Sequence, residues 1–496
     1  MAASDTSTST TKLGGARRLT LLDTVAQSIG FMGPVFSIAF LVPLLVGLNA
    51  SGNGAGAAAP LAVLIAAVGV FALGWIVAQY AKRIHAAGSL YDYVTDGLGP
   101  KMGAAAGGLY YVGILALSAG ILVMIGGTIY DTIDVEFNAT PLPRGVWDVL
   151  LLVLVAAILY LGVALSTRAQ LVLALVSLAV VLVFFLYVIV KVGGDNHVAT
   201  AFKTSSSPQG FSGVMFGVLY GVLLFTGFET SANLAEETEH PKRDIPRAVL
   251  LSVVLIAGFY LIGAYSQVAG YHFSLDAIGK NAGAPLFGLA GPHAGGGFGS
   301  VAMRRIVELV VILDMLAVLI GTGVAASRGF FAMARDGRLP KPLAQISRRG
   351  TPIGASAFVV VAYLATILVT HLWTGLVALP QTPHYVAIFS WGSTFGSFAL
   401  AVIYLLMAVG AIASLRGEGV SVAKVVVAGV VGIAVTGAAI FGTVYKVSSP
   451  TIYAPWVAGG VFAIGLVLAF LKPERAQTTE TSFAGLAPAE QGPVKI

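Results

Sequence analysis

The sequence predicts an all-α polytopic membrane protein with 12 transmembrane helices: a 5+5 inverted repeat and two further helices. Three observations predict this. Apolar runs of about 20 residues, the length that crosses a bilayer, recur along the whole chain. Only 10% of the 496 residues are charged and 57% are hydrophobic, with mean hydropathy +0.90; no soluble domain needs so few charges. The first and sixth runs are each interrupted near the middle.

The spans are expected near 20–46, 60–83, 103–130, 146–165, 168–193, 211–237, 246–271, 304–332, 353–373, 384–411, 420–445 and 451–471. One transmembrane domain then fills 19–472, with repeat 1 at about 20–193, repeat 2 at about 211–411 and extra helices at 420–471. Polar tails, 1–18 and 473–496, flank it. The Ser/Thr-rich start, Met1 to Lys12, carries no apolar core with a cleavage site, so the first span is expected to act as the insertion signal. The Gly-rich loop from His272 to Met303 is long enough to cap one face.

With the N-terminus inside, the inner segments hold about 21 of the 28 Lys and Arg. The positive-inside rule therefore favours cytoplasmic termini. The net charge of +6 sits in short loops beside the bilayer and does not indicate nucleic acid. The chain has no cysteine, which removes disulfides and thiolate metal sites, and no metal-ligand spacing is present.

Spans 1–5 are odd in number, so a second group of five starts from the opposite side and runs inverted. Spans 1 and 6 become symmetry mates. Gly30-Phe31-Met32-Gly33-Pro34 breaks span 1 and Thr226-Gly227-Phe228-Glu229 breaks span 6. Inverted repeats with discontinuous first helices are the LeuT-like architecture, whose breaks mark a solute site. Unwound peptide groups in lipid cost several kcal/mol unless something satisfies them. Pro34 suits the first turn of a new half-helix, and Gly30 and Gly33 permit close approach. The amides of Val35, Phe36 and Ser37 are expected to face an anion such as a carboxylate. Carbonyls near Ser28 and Ile29, with those near Phe225 and Thr226, would accept from an ammonium, and Phe225 or Phe228 would close over it. Kinks that serve only packing are the alternative.

Acids inside a bilayer default to functional hypotheses. Glu229 follows the second break directly. Asp314 lies ten residues into the span that starts at Arg304, about 15 Å and so near mid-bilayer. Each is a candidate for coupling or charge sensing; a structural hydrogen bond bracing the two broken helices is the alternative for Glu229. Glu308 lies nearer the outer end, and Asp23 near the inner end of span 1. Three inner segments, 84–93, 235–247 and 327–340, mix acids and bases. Salt links there would seal an inner gate, although exposed pairs contribute only about 0–1 kcal/mol each.

As a set, the stretch around Gly30–Pro34, Gly-Phe-Glu at 227–229, Ile-Pro-Arg at 245–247, Arg-Asp-Gly-Arg-Leu-Pro at 335–340 and Ala-Gly-Ser-Leu-Tyr at 87–91 resembles the amino acid–polyamine–organocation superfamily of permeases. The resemblance covers about residues 20–470. It implies import or exchange of amino acids or amines, with binding positions at Gly30, Phe31, Gly33, Phe225, Gly227 and Glu229. The chain departs from the family at one point. Proton-coupled members similar to the cationic amino acid transporters carry a Lys in mid-span 5, where this chain places Ser177. Sodium stays open, through span 1 carbonyls and a hydroxyl such as Thr322.

The expected activity is secondary active import of a small amino acid or amine across the cytoplasmic membrane. The expected coupling ion is a proton, with no other cofactor. An exchanger or a polyamine carrier would use the same site. A channel would favour rings of like charge or carbonyl filters. An enzyme would need a converging constellation, whereas the seven histidines are scattered. No P-loop marks a primary pump. The expected partners are the solute and the lipid bilayer, in a monomer or homodimer.

Overall fold

The computed structural model describes residues 18–47, 54–84, 90–139, 142–235, 237–279, 284–378, 383–415, 420–444 and 449–471. Among these, the helices run α1 (Leu21–Met32), α2 (Pro34–Val46), α3 (Ala59–Ala81), α4 (Leu90–Leu98), α5 (Pro100–Phe137), α6 (Arg144–Leu161), α7 (Val163–Val192), α8 (Val198–Ala201), α9 (Gly210–Leu224), α10 (Pro241–Gly270), α11 (Leu275–Gly279), α12 (Pro285–Ala290), α13 (Val301–Arg335), α14 (Ile353–Leu372), α15 (His384–Ser414), α16 (Val422–Val444) and α17 (Tyr453–Leu471). Eleven helices, with α1 and α2 taken as one, are long and apolar enough to cross a membrane, and Phe211–Leu224 is a shorter apolar helix. The 12 expected spans are therefore all present. Spans 1 and 6 are α1–α2 and α9 with the turn beyond it; spans 2–5 are α3, α5, α6 and α7, and spans 7–12 are α10 and α13–α17.

Packing follows the expected symmetry. Span 1 lies on span 6, α3 on α10, α5 on α13, and α6 on α14. Each of the first four spans thus meets the span five places on. The α1–α2, α5 and α13 spans are mostly buried, whereas α6, α7, α14, α16 and α17 bury a third of their apolar stretch or less. The inner spans carry small residues where backbones meet. At Gly113, an added Cβ would lie 2.6 Å from the Cβ of Ala399 on α15. Close approach of this kind drives helix association in lipid, where burial itself gains little.

Local signals set the ends. Thr20 caps α1 in a capping box with Asp23, whose carboxylate accepts from the Thr20 amide at 2.9 Å. Asp23, expected near the inner end of span 1, therefore has a definite local partner. Pro34, Pro100 and Pro241 occupy first helical positions, where a missing N–H is not needed. The loop after α10 does cap one end. Tyr271 donates to the Pro285 carbonyl at 2.8 Å, and the rings of Phe40 and Phe287 lie 6.1 Å apart. Residues 85–89 of the first inner motif lie outside the described residues, as do both tails apart from Arg18.

The first break is narrower than its sequence suggests. α1 runs through Gly30 and Phe31 to Met32, and only Gly33 leaves the helix, at φ 53 and ψ 66. Pro34 explains the position, because a residue before proline is pushed out of the α region. The second break is broader. Phe225–Glu229 form a turn with Gly227 at φ 106, and Thr230–Leu234 continue as a 3-10 helix.

Candidate functional site

The end of α1 meets the second break in the core. The Phe31 ring lies against Gly227, where an added Cβ would sit 2.0 Å from Phe31 Cδ1. Ser28 Oγ donates to the Phe228 carbonyl at 2.8 Å and accepts from the Ser231 amide at 3.2 Å. One hydroxyl thus serves two peptide groups of the unwound turn. Thr230 Oγ1 donates to the Gly227 carbonyl at 2.7 Å, and Tyr260 donates to the Leu224 carbonyl at 2.7 Å. Ser28→Ala leaves the Ser231 amide and Phe228 carbonyl without this partner. It is expected to cost about 1–3 kcal/mol, read as a lower melting temperature in detergent; an unchanged melting temperature would contradict this role.

The other candidates have definite places. Ile29 accepts from the Gly33 amide at 3.2 Å, so its carbonyl is partly engaged. Gly30 stays inside α1. The Phe225 ring packs edge-on against Tyr260, with centroids 5.1 Å apart, and Phe228 lies 5.4 Å from the Tyr404 ring. The Thr226 amide donates to Leu223. Ser177 is buried on α7, which packs on α1. Thr322 Oγ1 donates back to the Val318 carbonyl of its own helix at 2.8 Å.

The N-terminus of α2 differs most from expectation. The expected guest there is a substrate carboxylate; a carboxylate of the protein occupies the place. Asp314 Oδ2 accepts from the Val35 amide at 2.9 Å and the Phe36 amide at 2.8 Å. The Ser37 amide is spent inside the helix, on the Gly33 carbonyl at 2.8 Å. Asp314 is fully buried, and Val318, one helical turn along α13, covers Gly33: an added Cβ there would lie 2.0 Å from Val318 Cγ2. A carboxylate at a helix N-terminus gains from the helix dipole as well as from its two bonds.

Glu229 is also fully buried. It accepts from Tyr110 Oη on α5 at 2.9 Å and from Tyr404 Oη on α15 at 2.6 Å. Its side chain ties the second break to spans 3 and 10; Ser28 supplies the link to the first break. Tyr110 and Tyr404 were not among the expected site residues. Their signal was position: tyrosines usually gather at membrane interfaces, and these two sit deep inside long spans.

A buried ion pair stands where span 1 begins. Arg328 Nη1 lies 2.8 Å from Glu237 Oε1, and both side chains are nearly inaccessible. Beside it the Leu19 amide donates to Glu237 O and the Glu239 amide to Leu19 O, each at 2.9 Å. The approach to span 1, the segment after span 6 and the end of α13 are thereby joined. The 235–247 and 327–340 motifs do come together; Glu236 lies outside the described residues. Among the described residues no group of three or more His, Asp and Glu is placed to hold a metal ion.

Comparison with known proteins bears on the family and the fold. The family described as amino acid permease matches residues 28–471. Branched-chain amino acid permease BcaP of Lactococcus lactis subsp. cremoris is 27% identical over 353 residues, 67% of this chain and 72% of that protein. The vacuolar cationic amino acid transporter 4 of Arabidopsis thaliana is 28% identical over 373 residues, 71% of this chain and 58% of that protein. Among solved structures, a manganese transporter of Eremococcus coleocola superimposes with TM-score 0.52 at 12% identity, over 90% of this chain and 94% of that one. That likeness speaks to the fold alone, which is LeuT-like. With the family match spanning nearly all of the helical domain, the chain belongs to the amino acid permease family, a family of membrane transporters.

Proposed function

We propose that this permease imports a small amino-bearing solute across the cytoplasmic membrane by alternating access, coupled to protons. The observation that carries this reading is the contact of the end of α1, through Ser28 and Phe31, with the unwound Phe225–Glu229 turn, while Asp314, fully buried like Glu229, holds the amides just past Gly33. Carbonyls at Ile29, Phe225 and Thr226 would receive the amine, and Phe31 and Phe228 would wall it in. Glu229 and Asp314 are the candidates for coupling, because Ser177 stands where proton-coupled relatives of the resemblance carry a Lys. In this reading the termini are cytoplasmic, repeats 1 and 2 span about 20–193 and 211–411, and residues 420–471 lie outside the repeat. The Arg328–Glu237 pair is the inner gate and is closed in this conformation. The protein performs no chemistry on its solute.

The test is uptake into reconstituted vesicles under an inward proton gradient, with no solute inside. Saturable accumulation that collapses with a protonophore is the expected result. Accumulation only when the vesicles are preloaded would make the protein an exchanger. No saturable uptake across a panel of amino acids and amines would overturn the carrier reading.

A further inference from the structure

The peptide donors at the start of α2 are all accounted for. Pro34 has no N–H. The amides of Val35 and Phe36 both donate to Asp314 Oδ2, and that of Ser37 donates to Gly33 O. The Gly33 face is closed by Val318. This terminus keeps no donor for a carboxylate arriving with a solute, and one arriving there would meet Asp314, a like charge. The other oxygen of Asp314, Oδ1, is buried and has no hydrogen-bond partner among the described residues. The amides of Val35 and Phe36 are the two hydrogen-bond donors to Asp314 among the described residues. A carboxylate buried with one oxygen unsatisfied is an unfavourable arrangement that a cationic guest would complete.

We propose that the preferred solute is an amine without an α-carboxylate, its ammonium seated on Asp314 Oδ1 beside the break in span 1. The protein itself supplies the carboxylate that an amino acid would bring. The same charge selects against zwitterions, so specificity comes from repulsion as well as attraction. This proposal rests on the carrier reading and narrows it to a substrate class.

The experiment uses the full chain in vesicles and pairs of compounds that differ only by the carboxylate: isobutylamine with valine, cadaverine with lysine, agmatine with arginine. In at least one pair the amine is expected to be the better substrate by about tenfold or more, the scale of one charge-assisted hydrogen bond. Asp314→Asn keeps an oxygen for the Val35 and Phe36 amides but loses the charge. It is expected to lower amine uptake by a similar factor with little change in melting temperature. Two results would overturn the proposal while leaving the carrier reading intact: equal or better uptake of the amino acid in every transported pair, or undiminished amine uptake by Asp314→Asn. Absence of saturable uptake for all six compounds and for a broader amino acid and amine panel would overturn both.

Discussion

Gly227→Ala is expected to abolish uptake and lower the melting temperature. Two costs combine at this position. The backbone holds φ 106, a conformation that costs a non-glycine residue about 1–3 kcal/mol. The new Cβ would also fall 2.0 Å from Phe31 Cδ1, and overpacking a filled core costs about 1–3 kcal/mol more. Relief of the overlap requires Phe31 to move, which separates the end of α1 from the second break. The double variant Phe31→Ala/Gly227→Ala removes the overlap but keeps the strained dihedral and leaves a cavity where the buried ring stood, at about 3–5 kcal/mol, so it should recover neither stability nor transport. Wild-type uptake and melting temperature in Gly227→Ala would show that the two stretches do not meet as described.

The second large effect is expected at the Arg328–Glu237 pair. Arg328→Met leaves Glu237 buried without its cation, and breaking a buried pair from one side costs about 3–5 kcal/mol. The loss should appear as a lower melting temperature. Because the pair joins α13 to the segment after span 6, the inner end of span 1 should also become more accessible to water-soluble reagents. Adding Glu237→Gln removes the stranded charge and should restore much of the stability without closing the inner end. A double variant no more stable than Arg328→Met would mean that Glu237 is compensated by other groups.

Much of this architecture was readable from residue order. Runs of about 20 apolar residues located the twelve spans, because a bilayer demands that length. The odd count before span 6 implied inversion, and span-on-span packing follows it. Within the breaks, Gly227 behaved as expected of a glycine in a bilayer-depth turn. Gly30 did not unwind, because nothing after it forces a departure from the helix; Gly33 precedes Pro34 and does. The partners of the buried acids were not readable. Asp314 reaches amides 279 and 278 positions away, and Glu229 is held by tyrosines 119 and 175 positions away. Apolar periodicity places such residues in a span but does not say which spans face each other at that depth. The expectation of open amides at Val35 and Phe36 differed from the structure for this reason: a donor's vacancy depends on the whole fold.

The central claim is that the solute is held where the end of α1 meets the break of span 6. The natural absence of cysteine makes the direct measurement simple: single-cysteine variants Ile29→Cys and Thr226→Cys, with Leu368→Cys on the exposed face of α14 as a control, labelled by a thiol reagent with and without a transported solute. Slower labelling at positions 29 and 226 in the presence of solute, with no change at 368, is the expected result. Equal labelling rates at 29 and 226 with and without saturating solute, in variants that still transport, would contradict the account.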